Sequence, residues 1–142
     1  GIGEESDIQE IKSCEEKFDN IHYQPAVQMK DIISYTSSAD IGIFISNITS
    51  LSYRYALPNK FFEYMHGGLP IIVSSNLEHL SEIVKNRNLG WVSHYDDITK
   101  TILSIDRTKV KSYRDKTLEY AKDAIWEKDA EHYKKIYTLK VN

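Results

Sequence analysis

The chain has 142 residues, enough for one domain with a real hydrophobic core, and its 41% hydrophobic and 27% charged residues match an ordinary globular protein. A net charge of −3 gives no reason to expect a nucleic-acid partner, because such proteins carry a basic stripe. The longest apolar runs, Ile41–Ile45 and Leu69–Val73, are far too short to span a bilayer, and Gly1–Asp7, polar and acidic, does not read as a signal peptide.

Ser6-Asp7-Ile8-Gln9 predicts a capping box opening a helix, on which Ile8, Ile11 and Phe18 share a face. Cys14 falls on that helix as a small core residue. As the single cysteine it cannot form an internal disulfide, which favours a reducing, cytoplasmic setting. A short extended piece, Asn20–Tyr23, ends at Gln24-Pro25. Helix resumes from about Val27 to Ser38, with Met29, Ile32 and Ile33 facing inward. Ile41-Gly42-Ile43-Phe44-Ile45 is a continuous apolar run bounded by polar residues, the pattern of a strand buried on both faces. In the polar loop Ser46–Tyr53, Asn47-Ile48-Thr49 matches a glycosylation pattern and is read as a chance match, since no secretory context accompanies it.

The segment Leu57-Pro58-Asn59-Lys60-Phe61-Phe62-Glu63-Tyr64-Met65-His66-Gly67-Gly68-Leu69-Pro70 predicts a short helix with Pro58 at its first position, stopped by the glycine pair. A strand, Ile71–Ser74, follows at once. Next come a helix from about Leu77 to Asn86, bearing Leu80, Ile83 and Val84 on its face, and a strand at Gly90–Ser93. The rest is helical: Asp96 or Asp97 caps one helix, Asp106 the next, and Trp126, Ala130, Tyr133 and Tyr137 keep helical spacing to the end. Most of the ten tyrosines are expected at the edge of the core with their hydroxyls in water.

Strands alternating with helices define an α/β chain with a Rossmann-like open parallel sheet of about four to five strands, helices on both faces and a helical C-terminal tail. Four strands are countable. The opening Gly1-Ile2-Gly3 reads either as a loop or as the sequel to a strand that has just ended. The second reading is preferred: residues 1–142 form a single donor-type domain, the C-terminal fragment of a longer protein. Gly1 and Gly3 alone are weak evidence for a phosphate loop.

Open parallel sheets bind ligands at the carboxyl ends of their strands. Here those ends are the loops at 24–27, 46–57, 74–78 and 93–96. The second loop feeds the helix beginning at Pro58, whose free N–H groups at Asn59 and Lys60 and positive dipole end suit a phosphate; Lys60 adds a charge. Glu63 follows Pro58 by five residues, roughly 7 Å at ~1.5 Å per residue, close to the span from a β-phosphate to a ribose. The other reading of Lys60 and Glu63 is a solvated helix face with a weak i,i+3 ion pair. Against it stand Phe61, Phe62, Tyr64 and Met65, an apolar setting in which an unpaired carboxylate is costly. Glu78 and Glu82 can reach a sugar or place negative charge at a helix start, with slight preference for the second. His66 reads as a favourable charge at a helix end. The five histidines show no metal-ligand spacing, and no nucleophile–base arrangement is assignable, so the catalytic residues stay unknown.

The stretch Ser52-Tyr53-Arg54-Tyr55-Ala56-Leu57-Pro58-Asn59-Lys60-Phe61-Phe62-Glu63-Tyr64-Met65, followed by Gly68-Leu69-Pro70-Ile71-Ile72, resembles the donor-site motif of the group 1 (family 4-like) glycosyltransferases. Ser38-Ala39-Asp40 with the strand to Ser46, Glu82-Ile83-Val84, Gly90-Trp91-Val92, and Trp126-Glu127 with Tyr137 extend the resemblance over nearly the whole chain. It implies the nucleotide-sugar-binding half of a GT-B fold enzyme. By that resemblance Glu63 matches the ribose-binding glutamate, and Leu57, Pro58, Asn59 and Lys60 surround the diphosphate. Tyr53 and Tyr55 mark the donor-sugar region, and Gln24, Pro25 and Val27 the base-binding region. In the family an E-x7-E pair holds the donor; its first glutamate falls on Tyr55, a departure that puts carboxylate recognition of the sugar in doubt. The family's upstream arginine and lysine and its acceptor domain are missing from these residues.

The resemblance implies retaining transfer from a nucleoside-diphosphate sugar, with no metal and no other cofactor. The acceptor would be a glycan or a lipid-linked glycan held by the missing N-terminal domain. Envelope or capsule polysaccharide synthesis at the inner face of the membrane, with peripheral association of the full-length enzyme, is the setting. A nucleotide-sugar binding module without catalysis is the alternative. A receiver-like signalling domain fits worse, because the strand at 41–45 ends in Ser46-Asn47 rather than in acidic residues.

Overall fold

A computed structural model describes residues 3–48 and 50–139; the side chains of Trp126, Asp129, His132 and Leu139 are outside that description. Gly1, Ile2 and Thr49, and with them the opening glycine pattern and the third position of the glycosylation pattern, lie outside the described residues. The chain divides into a unit ending at Ile32 and a unit beginning at Ile33.

The first unit holds α1 (Glu5–Lys17) and a 3₁₀ turn at Met29–Asp31. The capping box does not form. Glu4 is the N-cap without a side-chain bond, Ser6 already lies inside the helix, and Gln9 Nε2 donates to Glu5 Oε1 at 2.8 Å. Ile11 and Phe18 are exposed, so the proposed apolar face is not a buried one within this unit. Asn20–Tyr23 is not a strand: the Tyr23 N–H donates to Glu15 Oε1 at 3.1 Å, a side chain taking the place of a ladder partner. The helix expected over 27–38 shrinks to the 3₁₀ turn and α2 (Ile32–Thr36), and Met29 is 86% exposed. Ser37 and Ser38 direct their hydroxyls to the carbonyls of Ser34 and Tyr35, the local competition by which serines end helices.

The second unit is built on a three-stranded parallel sheet in the order β1 (Gly42–Phe44), β2 (Ile71–Ser74), β3 (Gly90–Ser93). Ile43, Ile72 and Trp91 share one register row, and Phe44, Val73 and Val92 the next. Among the described residues the sheet thus has fewer strands than the four to five expected, while the α/β parallel class holds. Between β1 and β2 lie α3 (Leu51–Arg54) and α4 (Asn59–His66); α5 (Glu78–Arg87) joins β2 to β3. After β3 come a 3₁₀ turn at Tyr95–Asp97, α6 (Ile98–Leu103), α7 (Arg107–Ala121) and α8 (Trp126–Leu139).

Side chains alternate across a strand, so Ile71 and Val73 face one way and Ile72 the other. On the first face Phe61 and Met65 of α4 and Leu77, Leu80 and Val84 at α5 close over β2, with Leu89 and Ala121 completing the core. On the opposite face the Trp91 ring meets Tyr113 of α7 edge to face at 4.9 Å, and Thr101 of α6 donates to Ser93 Oγ. Helices therefore cover both faces. All four residues of β2 are buried. By contrast the run 41–45, expected to be a strand buried on both sides, forms only β1, which leaves Ile43 43% exposed and pairs with β2 alone among the described strands; Ile45, just beyond it, is 37% exposed.

Candidate functional site

The element that positions the candidate site is α4. Pro58 is its N-cap rather than its first residue, in extended geometry and with no side-chain cap bond. Phe61 N–H donates to Pro58 O at 2.9 Å, which leaves the N–H groups of Asn59 and Lys60 as the orphans of the first turn. Both residues are exposed. The far end closes as a Schellman motif: Gly68, at φ 71°, gives its N–H to Met65 O, and Leu69 gives its N–H to Tyr64 O at 2.9 Å. The left-handed position is thus Gly68, while Gly67 keeps helical geometry.

Glu63 lies one turn inside α4 with its side chain 21% exposed, and its Oε2 accepts from Lys60 Nζ at 2.9 Å, so the i,i+3 ion pair is present. The next residue, Tyr64, fixes the helix over the sheet. Its hydroxyl donates to Ile43 O at 3.2 Å, and its ring occupies the place where a Cβ on Gly42 would stand, 2.5 Å from ring carbons. Burial pushes the Tyr64 phenol above its ordinary value; Lys60 opposes this and Glu63 adds to it. The phenol therefore stays a neutral donor at pH 7.

Leu57 and Pro58 lead into α4, Leu57 39% exposed and Pro58 half-buried, while Tyr53 and Tyr55 are 41% and 60% exposed. Between the tyrosines stands a residue that no sequence pattern singles out. Arg54 binds Glu78 Oε1 through Nη2 at 2.6 Å and Nε at 3.0 Å, and its guanidinium lies 5.8 Å from the Tyr55 ring centre. Hydrogen bonding to Glu78, then its charge, raises the Arg54 pKa. The pair ties α3 to the start of α5. No spacing rule could have found it, because 24 residues separate the partners. Glu78 does begin a helix, as preferred, but it is held by a cation as well.

Gln24, Pro25 and Val27 belong to the first unit. Gln24 lines a cavity of about 400 Å³ there with Asp7, Ile8, Ile11, His22 and Tyr23; Pro25 is exposed and Val27 half-buried. Among the described residues no group of three or more histidine, cysteine, aspartate or glutamate side chains is placed to hold a metal, and no helix is long and apolar enough to cross a membrane.

A parallel sheet flanked by helices, with an uncapped helix N-terminus leaving its carboxyl edge, defines the class of α/β proteins that bind ligands at strand ends. Residues 7–128 match the family model described as glucosyltransferase 3-like, C-terminal domain, and the chain belongs to that family. Membership supports a glucosyltransferase-related domain and glycosyl transfer as its broad activity. It does not reach the narrower group 1 assignment. No curated protein and no solved structure matches the chain.

Proposed function

We propose that this chain is the donor-binding part of a GT-B-type glycosyltransferase that uses a nucleoside-diphosphate sugar. The observation that carries the reading is the uncapped N-terminus of α4 with Glu63, mostly buried, one turn behind it. The diphosphate takes the N–H groups of Asn59 and Lys60 at the positive end of the helix. Lys60 then turns from Glu63 to the phosphates, which frees the Glu63 carboxylate to accept from two ribose hydroxyls. Arg54, now on Glu78, supplies a second cation from the end of α3. Tyr53 and Tyr55 border the sugar.

Catalysis in this reading is electrostatic: the site stabilises the departing diphosphate and an oxocarbenium-like sugar, with retention of configuration. These residues supply no general base, and no metal enters the scheme. A preceding N-terminal domain brings a glycan or lipid-linked acceptor, and closure between the two domains excludes water. The setting is polysaccharide synthesis in the cytoplasm, with the full-length enzyme resting peripherally on the membrane. Tyr55 at the first-glutamate position favours one other reading, a nucleotide-sugar binding module without turnover.

A thermal-shift panel of UDP, GDP, ADP and their sugars on the full-length protein tests this. At least one nucleoside diphosphate is expected to raise Tm. Glu63→Ala should weaken its binding about tenfold or more, the size of hydrogen bonds to a charged group. If no member of the panel raises Tm, the donor reading fails; binding without sugar transfer or hydrolysis selects the non-catalytic module.

A further inference from the structure

The carboxyl ends of β1, β2 and β3 enclose a crevice that the donor reading leaves unused. It measures about 310 Å³ and is lined by Asn47, Ser75, Asn76, His94, Tyr95 and Asp96. That is the lower end of the roughly 300–1,000 Å³ range of small-molecule sites.

Its walls are tied together from beneath. The Ser46 N–H donates to Ser74 Oγ at 2.9 Å, and that hydroxyl donates back to Ser46 O at 3.1 Å. Asn76 Nδ2 donates to Ile48 O at 2.7 Å, and the Ser75 N–H to Ser93 O at 2.8 Å. Ser93 Oγ, buried, accepts from Thr101 and donates to His94 O at 3.0 Å. Three loops from three strands thus hold one another in place, so little ordering remains for a ligand to impose.

The lining selects the ligand by its charge. No lysine or arginine stands in it, and the Asp96 carboxylate does, so a phosphate or other anion would meet a like charge there. The polar groups suit hydroxyls instead. With its nitrogen held by Ile48, Asn76 offers Oδ1 as an acceptor. His94 Nδ1 lies 3.5 Å from both the Asp96 backbone nitrogen and Asp96 Oδ2, so Nε2 is the ring nitrogen left to meet a ligand. Asp96 accepts two hydroxyls, Asn47 both donates and accepts, and Tyr95, 45% exposed, provides a flat ring at the rim. A ligand with many hydroxyls, no charge and one C–H-rich face satisfies every one of these groups.

We propose that this crevice binds a neutral pyranose ring, its hydroxyls on Asn76, His94 and Asp96 and a C–H face on Tyr95. It stands on its own lining and does not require a nucleotide at α4. The ring can arrive on a nucleotide-sugar or on an acceptor glycan, and the test separates the two.

Saturation-transfer-difference NMR on the full-length protein uses the methyl glycosides of glucose, galactose, mannose and N-acetylglucosamine, and separately UDP-glucose. At least one glycoside is expected to receive saturation, and Asn76→Ala and Asp96→Ala should each cut its affinity about fivefold. Asn76→Ala also removes the tie to Ile48; Asp96, whose side chain is 82% exposed, gives the variant that leaves the fold intact. If the glycoside signal survives saturating UDP-glucose, the ring is acceptor-borne. If the hexose protons of UDP-glucose lose saturation in Asp96→Ala while the uridine protons keep it, the ring is donor-borne. No saturation of any glycoside, or equal saturation in both variants, overturns the proposal. Uridine saturation persisting alongside that failure leaves the nucleotide reading standing.

Discussion

Gly42 and Tyr64 show how closely single residues set this site. The Tyr64 ring lies where any side chain on Gly42 would go, so the absence of a Cβ in β1 lets α4 approach the sheet. Gly42→Ala is expected to destabilise the fold by about 1–3 kcal/mol, the usual cost of overpacking. Tyr64→Ala should relieve part of that, so in urea unfolding the double variant loses less than the sum of the singles. Strict additivity would mean that the ring does not govern the approach. Glu78→Gln is a contrasting case: the Arg54 and Glu78 side chains are 39% and 44% exposed, so stability should change little, while nucleotide affinity should stay or rise as Arg54 is released. Weaker nucleotide binding in that variant would show that Glu78 positions Arg54 rather than restraining it. The Lys60–Glu63 pair was legible beforehand, because its spacing lies within one helix. Gly42 against Tyr64 and Arg54 on Glu78 join distant parts of the chain, and no local pattern encodes such contacts.

Elements were legible where a strong local signal agreed with the packing. Pro58, the glycine pair and the apolar spacing bound α4 to within a residue, since each acts through the backbone at its own position. Asp106 was recognised as the cap of α7, and its carboxylate does accept the Thr108 N–H at 3.0 Å. The Thr108 hydroxyl and then its backbone N–H hold the Asp106 carboxyl below the ordinary carboxylate range. A depressed folded pKa means stabilisation that is complete at neutral pH and is lost as pH falls below about 4. Asp106→Asn should therefore lower Tm slightly at pH 7 and flatten the fall of Tm between about pH 4 and 2. An unchanged acid limb would remove Asp106 as a contributor. The misread elements all carry weak or contested signals. At Ser6 a motif lost to a helix whose N-cap stands two residues earlier, at Tyr23 a carboxylate replaced a strand, and at Ser37 and Ser38 hydroxyls cut a helix short.

At the scale of the whole molecule, alternation of strand and helix was enough to give the α/β class and the parallel pairing, because a strand–helix–strand path returns each strand in the same direction. Strand number was not legible: an apolar run such as Ile41–Ile45 reads the same at an edge as in the interior, and only a neighbouring strand distinguishes them. The carboxyl edge of the sheet gathers the start of α4, the Arg54–Glu78 pair and the polar crevice, and in the proposed reading a nucleoside diphosphate meets the first of these. The most direct test of that arrangement is a crystal structure of the full-length protein with the nucleoside diphosphate that the panel selects. The expected result places phosphate oxygens within hydrogen-bond distance of the Asn59 and Lys60 N–H groups, with the ribose hydroxyls on Glu63 and the Lys60–Glu63 pair broken. A nucleotide bound elsewhere, with Glu63 still paired to Lys60, would contradict it.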